Sequence, residues 1–291
     1  MSTITTDLIK KLREQTQVGM MDCKKALEES NGDFEKAIEI LRKKGTAVAT
    51  KRAENATDNG TIQAYINEEL TRGSMAQTSC ETDFSANTEA MQNFTKEVAL
   101  TVTTAKVDTV EALYEVKTAN GLTIKQKLDD LIAKISENIK VSRFVTYALE
   151  KYGVINAYIH PGSTLGILIH LETNTEVGAH KAVLATLAKD ICMQIAVNVP
   201  LCVSSNELDP KIVAKEREIL AAQLTASDKP AAVIEKIITG RIEKFYEDVC
   251  LLNQKFIKSD KLTVGAYIQE VAKPLGLTIT VKRFSRFGIR K

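Results

Sequence analysis

The side chains that most often perform nucleophilic, acid–base or metal chemistry are few in this sequence and are scattered. The 291 residues include three histidines and five cysteines, namely His160, His170, His180, Cys23, Cys80, Cys192, Cys202 and Cys250. None stands in a C-x-x-C, H-E-x-x-H or comparable pattern, and no phosphate loop of the type G-x-x-x-x-G-K-[ST] occurs. The sequence therefore favours a binding protein over an enzyme, and it predicts no metal and no cofactor. The odd, scattered cysteines predict free thiols in a reducing compartment.

The charges of the chain are nearly balanced. Lys and Arg number 39 against 37 Asp and Glu, which gives a net charge of +2 and is too even for a protein dedicated to coating nucleic acid. The longest unbroken apolar stretch, around residues 166–169, is far shorter than the roughly 20 residues of a membrane-spanning helix. The start of the sequence shows no secretory signal. We therefore expect a cytoplasmic protein that binds no membrane and does not bind nucleic acid directly.

Residues 81–85, Glu-Thr-Asp-Phe-Ser, form the most distinctive polar segment. They follow a predicted strand at 74–80 and precede a predicted helix, so they form a strand-to-helix loop. In one interpretation, Thr82 or Asp83 caps the helix and Phe84 packs into the core. In the other, Phe84 is an exposed aromatic tip beside an acid, which suits insertion into a pocket of a partner.

Residues 3–45 predict three short helices. The third follows a turn at 31–33, has apolar residues at i, i+3, i+4 and i+7, and reaches Gly45, where a C-terminal cap is expected. So small a bundle is marginally stable, which suits a docking module. Met20 and Met21 cannot both face this core, so at least one is expected at the surface, where methionine makes adaptable contacts.

An internal repeat organises most of the remaining sequence. Residues 62–66, Ile-Gln-Ala-Tyr-Ile, return 93 residues later at 155–159 as Ile-Asn-Ala-Tyr-Ile, and Gly73 returns at the same offset as Gly166. Cys-Glu-Thr at 80–82 is matched with Leu-Glu-Thr at 171–173, two residues early.

Both copies share further features that predict their secondary structure. Each is preceded by an expected turn glycine, Gly60 or Gly153, and each continues into an apolar-periodic helix, at 91–102 or 183–195. Each therefore predicts a β-hairpin, helices and a further strand, in an α+β fold of antiparallel sheets covered on one face by helices. At the place of the 81–85 loop, the second copy has Thr-Asn-Thr-Glu at 173–176, so the fold does not need a phenylalanine there.

These features divide the chain into three parts: a helical domain with its linker at 1–55, a first core repeat at 56–150 and a second core repeat at 151–291. The linker, 46–59, predicts a polar helix or an irregular segment with a turn at 58–60. Within the second repeat, residues about 209–250 predict an inserted helical hairpin, with helices opening at 209–210 and 228–230 and a connection at 225–227. A helix at 263–272, a strand at 277–281 and a basic end close the chain.

Several of these motifs resemble the elongation factor Ts family. They are T-x-x-G-M-M-D-C-K-K-A-L at 16–27, N-G-D at 31–33 and C-E-T-D-F at 80–84, with G-R-I-E-K-F-Y at 240–246 and K-R-F at 282–284 as further matches. The resemblance covers nearly the whole chain. Two positions depart from it, because Ser85 stands where valine is usual and Gln194 where many members have histidine.

The resemblance implies an N-terminal domain of the ubiquitin-associated type, a duplicated core and a coiled-coil-like helical hairpin. It implies a guanine-nucleotide exchange factor of protein biosynthesis, not an enzyme, which binds elongation factor Tu in its GDP-bound and nucleotide-free forms. Binding would promote GDP release by disturbing the Mg²⁺ and phosphate site, so that GTP can bind. A homodimer or a heterotetramer with the partner is compatible with this function.

The resemblance also implies roles for individual residues. The loop residues Thr82, Asp83, Phe84 and Ser85 would push into the GTP-binding domain of the partner beside its Mg²⁺ site. The N-terminal module would hold the same domain through Met20, Met21 and Lys24. The second core repeat would contribute His160, Phe256 and Ile257.

Other interpretations of the same residues stay open. The terminal basic residues Lys282, Arg283, Arg286, Arg290 and Lys291 would contact phosphate in a translation-associated RNA-binding protein, or they form a solvated tail. Cys80 would be the nucleophile of an enzyme, although the sequence shows no base near it. Residues 1–45 would bind ubiquitin-like partners by fold analogy alone. His160, at a predicted strand end, would be a structural hydrogen-bonding residue.

Overall fold

Three helices open the chain. The computed structural model describes residues 4–16, 18–224 and 230–289. The helices are α1 (Thr6–Thr16), α2 (Met20–Glu29) and α3 (Phe34–Arg52), called the N-terminal module below. Their shared core includes Leu12, Leu27 and Leu41. The carboxylate of Asp33 caps α3 by accepting a hydrogen bond from the Lys36 N–H at 3.1 Å. The three predicted N-terminal helices are confirmed.

Two repeats of strands and helices follow the N-terminal module. The first contains β1 (Asn59–Ile66), β2 (Arg72–Cys80), α4 (Asp83–Ala86), α5 (Glu89–Thr104), α6 (Val110–Tyr114), α7 (Ile124–Ile135) and β3 (Lys140–Ala148). The second contains β4 (Gly153–Ile159), β5 (Leu165–Thr173), α8 (Lys181–Asn198), α9 (Pro210–Leu224), α10 (Ala231–Val249), β6 (Lys255–Phe256), β7 (Ser259–Thr263), α11 (Val264–Leu275) and β8 (Ile279–Gly288). The strand orders β1-β2-β3 and β4-β5-β8 are antiparallel throughout. The predicted α+β class with antiparallel sheets is confirmed.

Helix α3 does not end at Gly45, where the sequence predicts a cap. It continues to Arg52, so the first half of the predicted linker is helical. At Gly45 the helix crosses α7, and a Cβ atom there would lie 2.4 Å from the backbone oxygen of Asp129 and 2.9 Å from the Ala133 Cβ. Glycine is therefore needed for the close approach of two helices, and the predicted left-handed cap is wrong.

The two repeats share one strand register. Ile62 pairs with Gln77 in the first hairpin, and Ile155 pairs with His170 in the second. A register shift follows Gln77 in one copy and His170 in the other. The spacing of 93 residues thus holds along the whole of β2 and β5, so Cys80 at the end of β2 corresponds to Thr173 at the end of β5. The sequence match that makes Leu171 the equivalent of Cys80 is wrong, because it requires a two-residue gap between the repeats that the strands do not have.

The sheets pack face to face through side chains that both three-stranded sheets turn toward each other. This interface contains Ile62, Met75, Tyr147, Ile155, Leu168 and Phe287. Helix α5 covers the outer face of the first sheet and α8 that of the second. The core therefore has four layers, in the order helix, sheet, sheet and helix.

Three sequence predictions at strand ends are corrected. Gly60 is the second residue of β1 and Gly153 the first residue of β4, so neither lies in a turn before its strand. The predicted last strand continues to Gly288, because residues 279–288 pair along the whole of β5. Arg283 and Arg286 therefore lie in a strand, not in a basic tail.

The insertion in the second repeat is a helical hairpin of α9 and α10. Leu220, Leu224, Ile238 and Ile242 form its own small core. The predicted opening at Pro210 is confirmed, whereas the predicted connection at 225–227, the residues 228–229, and the terminal Arg290 and Lys291 lie outside the described residues. Among the described residues, we find no helix long and apolar enough to cross a membrane. On this arrangement, we propose the division near residues 55 and 150 that the sequence suggests.

Candidate functional site

The 81–85 loop joins β2 to the short helix α4. Thr82 has an extended backbone, and its hydroxyl caps α4 by accepting a hydrogen bond from the Ser85 N–H at 3.2 Å. The tight turn that follows buries Ser85 and leaves Asp83 at the surface. The ring of Phe84 is 85% exposed. The structure therefore combines the two sequence interpretations, because Thr82 is a helix cap while Phe84 is not part of the core.

The carboxylate of Glu137 binds the 81–85 loop through four hydrogen bonds. Its Oε2 accepts hydrogen bonds from the backbone N–H groups of Glu81 and Thr82, both at 3.1 Å. Its Oε1 accepts from the hydroxyls of Thr82 and Ser85, both at 2.7 Å. Ser85, the residue that departs from the family pattern, thus uses its hydroxyl as one of the four donors. Bonds to a carboxylate are stronger than those between neutral groups, so the loop is firmly placed.

The carboxylate of Glu81 ties the same loop to the end of α3. Arg52 donates to both of its oxygens, at 3.0 and 2.9 Å, and Asn55 donates at 2.9 Å. The Asn138 N–H donates at 2.6 Å. Burial alone would raise the pKa of Glu81, but the hydrogen bonds from Asn138, Arg52 and Asn55 outweigh it and lower the pKa. The loop is therefore bound to the C-terminal end of α3, the last helix of the N-terminal module.

Cys80 does not have the properties of a nucleophile. Its side chain is fully buried and its thiol donates to the Thr82 carbonyl oxygen at 3.2 Å. Burial, followed by the negative charge of Glu137, raises the pKa of this thiol to about 12. Because the thiolate is the reactive form, the geometry argues against the enzyme interpretation.

The N-terminal module presents both adjacent methionines to solvent. Met20 is 38% and Met21 63% exposed, at the first turn of α2. Lys24 lies one turn further, half-exposed, with its Nζ 3.7 Å from a Glu28 carboxylate oxygen. The expectation that at least one of the two methionines lies at the surface is confirmed.

The N-terminal module docks on α7 of the first repeat. Arg42 on α3 binds Asp130 through two hydrogen bonds, of 2.9 and 3.3 Å, beside the Gly45 crossing. Burial raises the pKa of Asp130 despite this arginine. Together with the Arg52–Glu81 pair, these contacts fix where the module stands relative to the 81–85 loop.

His160 lies at the turn between β4 and β5. Its side chain is exposed and its Nδ1 lies 3.0 Å from the Tyr158 hydroxyl. The same turn rests on the first repeat, because the Ser163 carbonyl oxygen accepts from the Ile62 N–H at 2.7 Å. His160 is thus both hydrogen-bonded and open to solvent.

Phe256 does not lie where its predicted role requires. It is only 4% exposed and stacks on Tyr267, with ring centroids 4.0 Å apart. A direct contact to a partner does not fit this burial, and we correct the role of Phe256 to one of support for its neighbour. Ile257, the other predicted residue, is 40% exposed.

Gln194 holds the segment that presents Ile257. It is fully buried. Its amide nitrogen donates to Gln254 Oε1 at 3.1 Å and to the Lys255 carbonyl oxygen at 3.0 Å, and its amide oxygen accepts from the Ile257 N–H at 2.8 Å. The glutamine that departs from the family pattern is therefore satisfied within this fold. Three further exposed apolar side chains lie at the end of α8, the helix that contains Gln194, or just after it: Val197, Val199 and Leu201.

Two basic residues of β8, Lys282 and Arg283, contact other residues of the protein. Lys282 lies 3.5 Å from a Glu172 oxygen, and the guanidinium of Arg283 stacks over the Tyr147 ring at 4.3 Å. These contacts do not favour phosphate binding by a free tail. In the part of the chain that the structure describes, no group of three or more His, Cys, Asp or Glu residues is arranged to hold a metal ion.

The residues that support the 81–85 loop, above all Glu137, Asn138 and Arg52, are not among those that the sequence predicts for the site. The signal available was the pair of polar residues 137–138 just before β3, but nothing local links them to a loop more than 50 residues away.

Comparison with known proteins decides the family. A family model described as Elongation factor TS matches residues 81–291. Elongation factor Ts of Clostridium perfringens (strain 13 / Type A) is 41% identical over 292 residues, which cover 99% of this chain and 95% of that protein. The chain belongs to the elongation factor Ts family.

Two other members of the elongation factor Ts family show similar agreement. The elongation factor Ts of Clostridium botulinum (strain Eklund 17B / Type B) is 41% identical, over 99% of this chain and 95% of that protein. That of Clostridium kluyveri (strain NBRC 12016) is 39% identical, over 99% and 94%. The resemblance recognised from residues 16–33 and 80–84 is confirmed.

Proposed function

We propose that this translation elongation factor binds elongation factor Tu carrying GDP and accelerates release of the nucleotide, so that GTP can bind. The single observation that carries the proposal is Phe84, an 85% exposed aromatic ring on a loop fixed by two carboxylates. A large apolar side chain held out in water loses the free energy of burial unless a partner covers it. Because the loop is ordered before binding, little conformational entropy is lost when it inserts.

The target of Phe84 is the phosphate end of the nucleotide site. GTPases hold their nucleotide through backbone amides, a lysine and Mg²⁺. Mg²⁺ requires a nearly ideal octahedron, so a small displacement of its surroundings loosens it. Asp83 is exposed beside Phe84, and its negative charge disfavours phosphate nearby. The resemblance assigns the same task to Thr82 and Ser85, which the structure shows as supports of the loop.

One aromatic ring does not supply enough free energy for this task. Burying a phenylalanine contributes about 2–3 kcal/mol. A roughly thousandfold faster release needs a destabilisation of about 4 kcal/mol, at about 1.4 kcal/mol per factor of ten. The remainder comes from the wider contact, for which we propose Met20, Met21 and Lys24 of the N-terminal module with His160 and Ile257 of the second repeat.

The proposed reaction makes and breaks no covalent bond, so the protein is an exchange factor and not an enzyme in the chemical sense. Linkage requires that nucleotide and exchange factor weaken each other equally on the partner. Returning nucleotide therefore displaces the protein, and turnover follows from binding alone. We propose a cytoplasmic location, without direct binding to membranes or nucleic acid. A homodimer or heterotetramer with the partner would use the exposed faces of the helical hairpin.

The experiment is stopped-flow dissociation of fluorescent GDP from purified elongation factor Tu, with this protein at increasing concentration. We expect release to accelerate by at least about a hundredfold and to saturate, which corresponds to about 2.7 kcal/mol. A GDP lifetime that stays unaltered at saturating protein would contradict the proposal. A titration with RNA across salt separates the alternative, because phosphate binding would weaken steeply with salt.

A further inference from the structure

The Glu137 carboxylate has a counterpart position in the second repeat, and the two positions differ. Gln77 pairs with Arg143, and its counterpart His170 pairs with Arg283. Arg143 and Arg283 therefore occupy equivalent positions in the last strands of the two repeats, 140 residues apart (283 − 143 = 140). At the same separation, the residue equivalent to Glu137 is Leu277.

An independent contact supports this correspondence. Asn138 donates its backbone N–H to the Glu81 side chain at 2.6 Å. In the second repeat, Thr278 donates its N–H to the Asn174 side chain at 2.8 Å. Glu81 and Asn174 are separated by the repeat spacing of 93 residues, so the same backbone-to-side-chain bond closes the loop in both copies.

The second repeat closes its loop without a carboxylate at the position of Glu137. Leu277 stands there, and Val177 stands at the position of Phe84. The fold itself therefore does not require a carboxylate beneath this loop. Among the two copies, the carboxylate occurs in the one whose loop carries an exposed aromatic side chain.

All four donors to Glu137 belong to the segment that carries Phe84. Two are backbone N–H groups, of Glu81 and Thr82, and two are hydroxyls, of Thr82 and Ser85. A carboxylate only accepts, whereas an amide of the same size would direct its NH₂ at two donors. The two oxygens of the carboxylate can therefore accept all four hydrogen bonds, and these bonds fix the backbone on either side of Asp83 and Phe84.

We propose that Glu137 is the positioning residue of the exchange reaction, acting through Phe84 and without touching the partner itself. This inference rests on the proposed function. Glu137 determines how far the bound protein accelerates nucleotide release, while the affinity for the partner is set by the wider contact of the N-terminal module and the second repeat.

The test separates the maximal GDP release rate from the protein concentration that gives half of it. For Glu137→Gln we expect the maximal rate to fall about tenfold or more, because charge-assisted bonds are lost, and the half-saturating concentration to change less than about twofold. Glu115→Gln, an exposed position of the same repeat, is the matched control and leaves both quantities unchanged. An unchanged maximal rate, or a change in half-saturation alone, overturns the inference.

A double mutant separates this inference from the proposed function. If Glu137 acts only through Phe84, adding Glu137→Gln to Phe84→Ala produces no further loss of rate. Additive losses show a separate role and overturn the inference. If Phe84→Ala alone leaves the rate unaltered, the proposed function fails; if it slows release while Glu137→Gln does not, only the positioning role fails.

A milder variant covers the case in which Glu137→Gln unfolds the protein. Ser85→Ala removes one of the four donors and leaves the carboxylate in place, so we expect a smaller loss, of about two- to fivefold. Hydrogen exchange at the Glu81 and Thr82 amides reports the same contact directly, and it accelerates in both variants if the bonds to Glu137 hold the loop. Unchanged exchange together with an unchanged rate overturns the inference.

Discussion

Leu70 and Ser163 occupy equivalent positions in the hairpin turns of the two repeats and share the left-handed backbone conformation, with φ of 57° and 55°. Each of their carbonyl oxygens accepts a 2.7 Å hydrogen bond from a strand of the other repeat, Leu70 from the Ile155 N–H and Ser163 from the Ile62 N–H. The exchange is reciprocal, so the repeats are related by an approximate two-fold axis. Each turn thereby helps to hold the opposite sheet in place.

The crossing at Gly45 predicts how the N-terminal module is attached. In Gly45→Ala, the new Cβ would meet the Asp129 carbonyl oxygen at 2.4 Å, so α3 and α7 must separate. We expect the free energy of unfolding to fall by about 1–3 kcal/mol, measured by urea denaturation.

A second helical glycine provides the control for Gly45. Nothing lies within 4 Å of a Cβ atom at Gly240 in α10. Gly240→Ala should therefore stabilise the protein by about 0.5–1 kcal/mol, since alanine favours the helix. If both variants have the same effect, the close approach at Gly45 is not what selects glycine there.

The Arg52–Glu81 pair predicts a dependence of stability on pH. The pKa of Glu81 is lowered in the folded protein, so its contribution is present above the unfolded value of about 4.3 and is lost as pH falls through the folded value. Arg52→Met removes a partner and should make the loss of stability between pH 5 and more acidic solution less steep, as followed by thermal unfolding. The same acid dependence in both proteins would show that the pair is not the source.

The buried side chain of His170 predicts a second dependence of stability on pH, at higher pH values than that of Glu81. It is only 2% exposed, and neither ring nitrogen has a hydrogen-bond partner within the described residues. Burial, followed by the charge of Arg283, lowers its pKa against the opposing charges of Glu172 and Glu150. The unfolded state therefore binds its proton first, and stability falls as pH drops below the ordinary histidine value of about 6.5.

The variant His170→Leu removes both unpartnered nitrogens. We expect stability at pH 7 to rise by about 1 kcal/mol, and the loss of stability between pH 7 and 5 to become smaller than in the unmodified protein. Calorimetric melting temperatures across this range provide the measurement. A variant that is less stable at pH 7 and equally sensitive to acid would contradict the assignment.

The base of the helical hairpin brings two free cysteines together. The Sγ atoms of Cys202 and Cys250 are 3.6 Å apart, in van der Waals contact. Burial raises the pKa of both thiols, that of Cys250 to about 12, so oxidation should be slow at neutral pH. With the thiol oxidant diamide, we expect these two residues to form a disulfide, with diamide reduced to its hydrazine.

Mass spectrometry of peptides without reductant identifies that cross-link. Closing the ends of the hairpin restricts the unfolded chain, so the melting temperature should rise. Cys202→Ser is the control and should show neither change. A cross-link that involves Cys23, Cys80 or Cys192 instead would contradict the geometry.

Much of the fold is predictable from the sequence because its signals are local or repeated. The apolar alternation at 62–66 and 155–159 marks β1 and β4, and the shared spacing of 93 residues indicates that the two hairpins are alike, as their strand pairing shows. Where a glycine serves a contact between distant elements, as at Gly45, the local sequence suggests a helix end instead.

The candidate site is predictable only in part. The sequence marks Phe84 as either a core residue or an exposed tip and places at least one of Met20 and Met21 at the surface, and the structure exposes all three side chains. Glu137 gives no such signal, because its partners lie 52–56 residues away and hydrogen bonds to a loop leave no periodic pattern. The burial of Phe256 is not predictable for a related reason, since only its packing against Tyr267 shows it.

The central claim is that the exposed ring of Phe84 drives nucleotide release. Its most direct test is the maximal rate of GDP release from elongation factor Tu at saturating Phe84→Ala, beside Tyr152→Ala, which removes another exposed aromatic ring. We predict that Phe84→Ala lowers the maximal rate by roughly 30-fold, equivalent to about 2 kcal/mol of lost burial, while Tyr152→Ala leaves it unaltered. A folded Phe84→Ala protein that releases GDP at the unmodified rate would contradict the account.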